Sequence, residues 1–213
     1  MPSSTESAGV EQLLSVRHVA RAFGRNRVLI DASLFIGPGE VVGITGENGS
    51  GKSTLLNIIV GRLRPDSGTV TASGRIGYCP QEMLVFDTLT VRENFRFFAA
   101  AYEVADWPAR MDALLGRLNF GRYVDTPVSH LSGGTRQKLN LAVAWLHEPD
   151  ILVLDEPYSG FDWETYLHFW DITAEHRRLN RAVLVVSHFV HERTRFDALY
   201  RVAAGRLEPE SVR

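Results

Sequence analysis

Residues 40–59 read EVVGITGENGSGKSTLLNII and combine an apolar run, a glycine-rich turn and a helix-like pattern. The run EVVGI is nearly all apolar, as expected of a strand that is buried on both faces of a sheet. The turn from Gly46 to Ser53 fits the pattern G-x-x-x-x-G-K-[ST]. A glycine-rich turn without a ligand is the alternative, but a strand before the turn and a helix after it favour a phosphate-binding loop. This stretch predicts an α/β core.

The residue types in this loop match the chemistry of phosphate binding. Glycines let backbone N–H groups turn inward around phosphate oxygens, and the helix start adds partial positive charge. Lys52 is expected to reach the β- and γ-phosphates of a nucleotide, and the Ser53 hydroxyl is expected to bind Mg²⁺. The loop residues predicted to contact the nucleotide are Gly46, Glu47, Asn48, Gly49, Ser50, Gly51, Lys52, Ser53 and Thr54.

Two carboxylates follow a second buried strand. Residues 150–157 read DILVLDEP, in which four apolar residues lead directly to Asp155 and Glu156. Because strands of α/β sheets bind ligands at their carboxyl ends, we expect both acids beside the phosphate loop. Asp155 would orient Mg²⁺ through water, and Glu156 would take a proton from water that attacks the γ-phosphorus. Two solvated acids at a plain strand end are the alternative for an isolated Asp-Glu pair.

The chain alternates β-type and α-type patterns at both ends, whereas its middle is helical. The first residues, MPSSTESAGVE, lack the cationic start and apolar stretch of a secretion signal. We therefore expect a disordered tail at 1–11 and a single domain at 12–213, with a helical subdomain inserted at about 85–145. In that insertion Val91, Phe95, Phe98 and Tyr102 share one helix face, which predicts core packing or, alternatively, a groove for a partner's helix.

Composition restricts the classes of function. The 213 residues carry a formal net charge of −2 and no block of lysine or arginine, which disfavours nucleic-acid binding driven by bulk charge. A single cysteine, Cys79, excludes an internal disulfide and fits a reducing compartment. The sequence has no run of 18 apolar residues, so we expect no membrane crossing by this chain itself.

A second helix start also has the features of an anion site. Residues 131–137 read LSGGTRQ and precede a helix-like stripe formed by Leu139, Val143 and Leu146. The open question is why one chain carries two phosphate-binding helix starts.

Six motifs in one order answer that question through a resemblance. They are the phosphate loop, YCPQE with Gln81, LSGGTRQ, ILVLDEP, SGFD at 159–162, and Ser187-His188 after a buried strand. Together they closely resemble the ATP-binding-cassette (ABC) ATPase family over about 13–207. The resemblance implies a P-loop NTPase core with a mixed sheet flanked by helices and an N-terminal antiparallel β region. It also implies ATP and Mg²⁺ as ligands and head-to-tail pairing of two ATPase subunits, in which ATP lies between one phosphate loop and the partner's LSGG helix start.

The resemblance also assigns roles to single residues. Gln81 would sense Mg²⁺ and the γ-phosphate, and His188 would bind the γ-phosphate and position the attacking water. Phe23 would stack on adenine, and Asp162 would lie at the dimer seam. Packing of Phe23 and a structural role of His188 are the alternatives. The residues that would close over the partner's nucleotide are Ser132, Gly133, Gly134 and Thr135.

Three positions depart from the family pattern. Thr135 stands where glutamine is usual, Phe161 where leucine is usual, and Trp163 where proline is common. Thr135 keeps a hydrogen-bonding group with a shorter reach, so its contact to the neighbouring nucleotide would weaken. Lys52, Ser53, Asp155 and Glu156 are intact, and we therefore expect an active ATPase.

We expect this ATPase to power a transporter. One cassette without a membrane span predicts integral-membrane permease subunits as partners and a peripheral location on the cytoplasmic face of the cell membrane. Residues 89–104 resemble exporter cassettes whose permease is a separate polypeptide, with Arg92 and Arg96 as rim contacts. The pairing is either homodimeric or heterodimeric, and no nucleic acid is expected. A soluble ABC ATPase acting on nucleic acid or ribosomes is the alternative, and a small-molecule kinase would leave LSGG unexplained.

Overall fold

A nine-stranded mixed sheet organises residues 12–188, 190 and 192–212, the part of the chain that the computed structural model describes. The strand order is β4-β1-β2-β9-β8-β3-β7-β6-β5. The tail predicted at 1–11 lies outside the described residues. The strands are β1 (Leu14–Phe23), β2 (Asn26–Ile36), β3 (Val41–Thr45), β4 (Ser67–Ala72), β5 (Ile76–Cys79), β6 (Ile151–Asp155), β7 (Ala182–Val186), β8 (Ala198–Ala203) and β9 (Arg206–Glu210).

Helices lie between these strands. They are α1 (Lys52–Ile59), α2 (Val91–Ala101), α3 (Trp107–Arg117), α4 (Gly133–Trp145) and α5 (Trp163–Arg178), with short 3₁₀ turns at Gly121–Tyr123, Val128–His130 and Arg193–Arg195. Strands β5, β6, β7, β3 and β8 pair in parallel, whereas β1 pairs antiparallel with β2 and β4. The α/β fold with an N-terminal antiparallel region is confirmed. None of the described helices combines the length and the apolar character that a membrane crossing requires.

The central strands are buried on both faces, as their apolar runs predicted. In β6, Leu152 and Leu154 pack into a cluster with α2 to α5, while Ile151 and Val153 pack into a second cluster with α1, β1 and β2. The alternation follows the two-residue period of side chains in a strand. The sheet therefore separates two apolar cores and brings the ends of β3, β6 and β7 to one edge.

Helix α1 is shorter than its sequence pattern suggested. The sequence KSTLLNIIVGRL continues a helix-like pattern from Lys52 to Leu63, but α1 ends at Ile59. Gly61 adopts φ 76°, and the N–H of Arg62 returns to the carbonyl of Asn57 at 2.8 Å. A left-handed glycine that closes the last carbonyls is a common helix terminator, so the apolar residues beyond it belong to a turn.

The segment between β5 and β6 is helical, as predicted. Helix α2 begins with a capping box, in which Thr90 and Glu93 exchange side-chain and backbone hydrogen bonds. Val91, Phe95 and Phe98 are buried in the core, whereas Tyr102 follows the helix and remains 36% exposed. The predicted stripe is therefore core at three of its four positions.

Helix α4 is more buried than an amphipathic helix. Leu139, Val143 and Leu146 are buried as expected, but so are Leu141 and Ala144 on other sides of the helix. The reason is that α4 contacts β5 on one side and both α2 and α3 on another. A helix enclosed in this way has no free solvent face in its second half.

A C-terminal hairpin was not predicted. Strands β8 and β9 pair antiparallel from Leu199–Glu210 to Ala203–Arg206. Their two-residue turn places Ala204 at φ 46° and Gly205 at φ 74°, the positive values that tight hairpin turns need. Alanine is uncommon at such a position, so the sequence signal for this turn was weak.

Candidate functional site

The glycine-rich loop lies between β3 and α1, where the sequence pattern predicted it. Lys52 is 8% exposed, and its ammonium donates to the backbone carbonyls of Gly46 at 2.6 Å and Glu47 at 2.9 Å. Gly51 adopts φ 110°, and a Cβ there would lie 3.0 Å from Val28 Cγ1. A side chain at Gly51 would therefore clash while forcing a strained backbone. The lysine is held inside the loop, where a phosphate group would be bound.

Asp155 ends β6 beside the start of α1. The Ser53 hydroxyl donates to Asp155 Oδ2 at 3.4 Å, so a hydroxyl and a carboxylate oxygen face each other across the loop. Burial raises the pKa of Asp155, and the negative charge of Glu156 raises it further. Both effects disfavour an isolated carboxylate. A cation bound between these oxygens would relieve the unfavourable charge.

Glu156 has a strained backbone and a fixed carboxylate. Its φ is 51°, in the left-handed region that non-glycine residues rarely occupy. The Ser187 hydroxyl donates to Oε2 at 2.9 Å, the backbone N–H of His188 donates to Oε1 at 2.6 Å, and His188 Nδ1 lies 2.6 Å from the same oxygen. Strained residues that persist in this way are typical of active sites.

The predicted residues of four separate segments share one cleft of about 390 Å³. Gln81, which follows β5, is exposed at its edge. The predicted residues that line the cleft are Asn48, Gly49, Gly51, Lys52, Ser53, Thr54, Gln81, Asp155, Glu156 and His188. The structure therefore brings together the loop, both acids, the glutamine and the histidine.

Several predicted residues lie outside this cleft. Gly46 and Glu47 line an adjoining cavity that shares Asn48 and His188 with the cleft. The Ser50 hydroxyl is buried without a hydrogen-bond partner among the described residues, and Ser50 is not among the residues that line the cleft. Phe23 is 49% exposed, and the Arg21 guanidinium covers one face of its ring at 4.9 Å from the centroid. Arg21 therefore contacts the ring of Phe23, and about half of the residue remains accessible to solvent.

The helix start predicted to bind a second anion is formed but does not line the cleft. Ser132 caps α4 by accepting from the Thr135 N–H at 3.3 Å, and the two hydroxyls lie 2.9 Å apart. Ser132 and Gly133 are exposed, whereas Gly134 and Thr135 are partly buried. The hydroxyl of Thr135 therefore contacts Ser132 within the chain, and this contact explains how threonine is accommodated where glutamine is usual.

The loop after Glu156 connects the cleft to the start of α4. A Cβ on Gly134 would lie 2.7 Å from the carbonyl oxygen of Gly160, so the α4 start and this loop are in close contact. Asp162 then caps α5 by accepting from the Thr165 N–H at 2.7 Å, and this hydrogen bond lowers the pKa of Asp162. Trp163 beside it is 66% exposed and stacks on Tyr166.

Two contributors were missed by the sequence reasoning. Val28 lines the cleft from β2, and nothing in an ordinary β-strand valine distinguishes it. Gln137 on α4 is buried and donates to the Pro157 carbonyl at 3.2 Å, with the Glu156 carbonyl at 3.5 Å. A polar residue among the apolar positions of α4 was the available signal.

A strand–loop–helix phosphate site, with two acids on a neighbouring parallel strand, defines a P-loop nucleotide-binding protein. A family model described as ABC transporter matches residues 29–159, which is more than half of the chain. The chain therefore belongs to the ABC transporter family, and its enzyme class is that of the ABC-type ATPases.

Solved structures of ATP-binding cassettes share this fold. The ATP-binding subunit of an ABC transporter matches with a TM-score of 0.88 and 25% identity, over 93% of this chain and 90% of that one. A bacterial ABC transporter cassette, solved as a dimer, matches with a TM-score of 0.86 and 24% identity, over 94% and 99%. A dimeric post-hydrolysis cassette bound to ADP and Pi matches with a TM-score of 0.85 and 24% identity, over 94% and 99%.

Proposed function

We propose that this chain is the ATP-binding and ATP-hydrolysing subunit of a transporter whose membrane-spanning subunits are separate polypeptides. One observation carries the proposal: two helix starts with the residue types of an anion site do not line the same cleft. Lys52 and the α1 start line the cleft, whereas Ser132 and the α4 start are outside it and exposed. A second subunit would supply the phosphate that the α4 start lacks.

ATP would bind through the loop and the exposed ring of Phe23. The triphosphate would accept hydrogen bonds from the inward-facing N–H groups of residues 46–53. Lys52 would turn from the loop carbonyls to the β- and γ-phosphates. Adenine would stack on the ring of Phe23.

The oxygen ligands beside the loop fit Mg²⁺. Ser53 and Asp155 supply a hydroxyl and a carboxylate, the hard ligands that this ion prefers. Among the described residues, no group of three or more histidine, cysteine or acidic side chains could hold a metal ion. Phosphate oxygens, water and Gln81 would take the remaining positions, as is usual for nucleotide-bound magnesium. When bound, the ion supplies neutralising charge to the phosphate oxygens.

Hydrolysis would use the fixed carboxylate of Glu156. Water attacks the γ-phosphorus, its proton passes to Glu156, the bond to the bridging oxygen breaks, and ADP leaves. His188, held beside Glu156 at 2.6 Å, would bind the γ-phosphate and align the water. Gln81 at the edge of the cleft would respond to the ion and the γ-phosphate.

Two copies of this chain would complete two composite sites. Each copy carries both halves, the cleft with Lys52 and the exposed start of α4 with Ser132. In a head-to-tail pair, the Ser132 hydroxyl, the N–H groups of Gly133 and Gly134 and the helix dipole would bind the partner's γ-phosphate, with Thr135 behind them. Asp162 would lie at the seam. ATP binding would close the pair, and hydrolysis would remove the bridge and open it.

An exposed aromatic patch near Gln81 suits a membrane partner. We define the α2 patch as Met83, Phe86, Phe97 and Tyr102. Phe86 and Phe97 are 42% and 49% exposed, and their rings meet at 4.6 Å. Exposed apolar patches of this kind commonly mark interaction sites.

The helical insertion proposed at about 85–145 in a domain of 12–213 would present the α2 patch to the partner. The permease's cytoplasmic helices would occupy the patch and hold this chain on the cytoplasmic face of the cell membrane. Arg96 borders a shallow cavity and is suited to the rim, whereas Arg92 pairs with Asp125 at 2.8 Å.

Co-purification from gently solubilised membranes tests the transporter assignment. Tagged wild-type protein should bring along a polypeptide with about six apolar segments of about 20 residues. Phe97→Asp should lose this polypeptide, whereas Leu179→Asp, at a 62% exposed position directly after α5, should retain it. Recovery of ribosomes or nucleic acid in its place would contradict the proposal.

A further inference from the structure

Two buried amides on α4 are not used by the proposed chemistry. Gln137 is 4% exposed and Asn140 is 1% exposed. They are three residues apart, so both lie on one side of the helix. We call Gln137 and Asn140 the amide pair. Buried polar side chains are costly unless they are hydrogen-bonded, and both of these are.

Gln137 bonds to the backbone of the catalytic strand end. Its Nε2 donates to the Pro157 carbonyl at 3.2 Å and lies 3.5 Å from the Glu156 carbonyl. Ser187 and His188 therefore hold the carboxylate of Glu156, and Gln137 of α4 holds its backbone. The strained φ of Glu156 depends on such surrounding contacts.

Asn140 bonds to the segment that carries Gln81. Its Nδ2 donates to the Pro80 carbonyl at 3.1 Å, and its Oδ1 accepts from the Leu84 N–H at 3.0 Å. These contacts bracket Gln81 on both sides. One helix therefore holds both segments from which Gln81 and Glu156 enter the cleft.

The same helix begins at Ser132. With a rise of about 1.5 Å per residue, Gln137 lies about 7–8 Å along the axis from Ser132. The contact of Gly134 with Gly160 fixes the helix start against the loop after Glu156. Because a helix moves as a rigid element, a small displacement at Ser132 would move both amides and the backbone they hold.

We propose that the amide pair transmits binding of the partner's ATP at Ser132 to Glu156 and Gln81 of the same chain, so that the two composite sites hydrolyse ATP cooperatively. The inference rests on the proposed dimer. Gln137 and Asn140 are positioning residues, since they act on the catalytic groups through the backbone. A subunit then hydrolyses ATP at its full rate only when its α4 start is bound to the ATP held by the partner subunit.

Gln137→Met tests this link because methionine has a similar length and lacks the amide. We expect kcat to fall by about tenfold or more, while KM and the ATP affinity of the monomer stay within about twofold. The Hill coefficient for ATP should fall from above 1 in the wild type towards 1. Lys138→Met, at the next position of α4, is the matched control and should retain the wild-type values. Gln137→Glu places a carboxylate against the same carbonyls, and its kcat and Hill coefficient should fall as they do in Gln137→Met.

A double-mutant cycle separates coupling from a general loss of structure. If Ser132 acts through Gln137, then Ser132→Ala combined with Gln137→Met should lose no more kcat than the worse single variant. Multiplication of the two losses would overturn the inference, as would wild-type kcat and Hill coefficient in both Gln137 variants. A wild-type protein that neither hydrolyses ATP nor dimerises would instead contradict the proposed function itself.

Trp163 offers a second measurement that does not depend on turnover. It is the most exposed of the described tryptophans and follows the loop that Gln137 holds. In a Glu156→Gln background, ATP should protect Trp163 from acrylamide quenching, and adding Gln137→Met should reduce that protection without preventing ATP binding. Unchanged protection would count against the inference.

Discussion

His188 contacts Glu156 with two different atoms. Its backbone N–H donates to Glu156 Oε1, and its ring Nδ1 lies at the same distance of 2.6 Å from that oxygen. Any residue except proline can make the backbone bond at position 188, whereas the ring contact requires histidine. The two contacts therefore have separate roles. The backbone N–H of His188 helps to orient Glu156, and we propose that the imidazole aligns the water.

Glu156→Gln should retain ATP binding and trap a closed dimer. Glutamine keeps the shape of the side chain but cannot accept the proton of the attacking water, so kcat should fall by about 10²–10⁴-fold. Steady-state hydrolysis with Mg²⁺ and a nucleotide-binding titration measure the two effects. Hydrolysis at the wild-type rate would exclude Glu156 as the base.

His188→Ala should lower kcat by about 10–100-fold with little change in ATP affinity. The backbone N–H and Ser187 still orient Glu156, but the ring that would align the water is lost. His18→Ala, an exposed histidine on β1, is the control and should be neutral. A larger loss of ATP affinity than of kcat would show that His188 serves binding rather than catalysis.

Gly134→Ala should destabilise the protein by about 1–3 kcal/mol, because the new Cβ would lie 2.7 Å from the Gly160 carbonyl oxygen. Gly133→Ala is the matched control, since a Cβ there meets nothing within 4 Å and alanine favours a helix. Urea unfolding of both variants, without nucleotide, gives the comparison. Equal stabilities would show that the α4 start and the loop are not in close contact.

The stability of the protein should depend on pH through His176. Burial, with a smaller contribution from the positive charge of Arg181, lowers the pKa of His176 to about 4. The unfolded chain, with a histidine pKa near 6.5, therefore binds more protons between pH 4 and 6.5, and stability is full above that range and lost as pH falls. From pH 7.5 to 5 the loss from this group should be about 2 kcal/mol. His176→Leu should remove that part of the pH dependence in urea titrations, and an unchanged dependence would contradict the assignment.

Much of the site was predictable because its chemistry depends on residue types at fixed spacing. The glycines and Lys52 after an apolar strand, and the two acids after another, fix both composition and position along the chain. The parallel pairing of β6 with β7, and of β7 with β3, then brings these segments to one sheet edge. Local pattern was sufficient because every segment ends at the same edge.

Contacts that arise from packing could not be predicted from the sequence. The role of Gln137 depends on α4 lying against the loop after Glu156, and the burial of Ser50 depends on how the loop turns. The early end of α1 at Ile59 follows from the conformation of Gly61. Each depends on a tertiary or backbone geometry that no local periodicity encodes.

The composite pocket is tested most directly by Ser132→Arg in the Glu156→Gln background. The double variant should remain monomeric with saturating ATP in analytical ultracentrifugation, while the Glu156→Gln single variant dimerises. Its ATP affinity as a monomer should stay within about twofold, whereas Lys52→Ala, the control for the cleft itself, should lose affinity. A double variant that dimerises like the single one, or that loses ATP affinity as Lys52→Ala does, would contradict a site shared between two subunits.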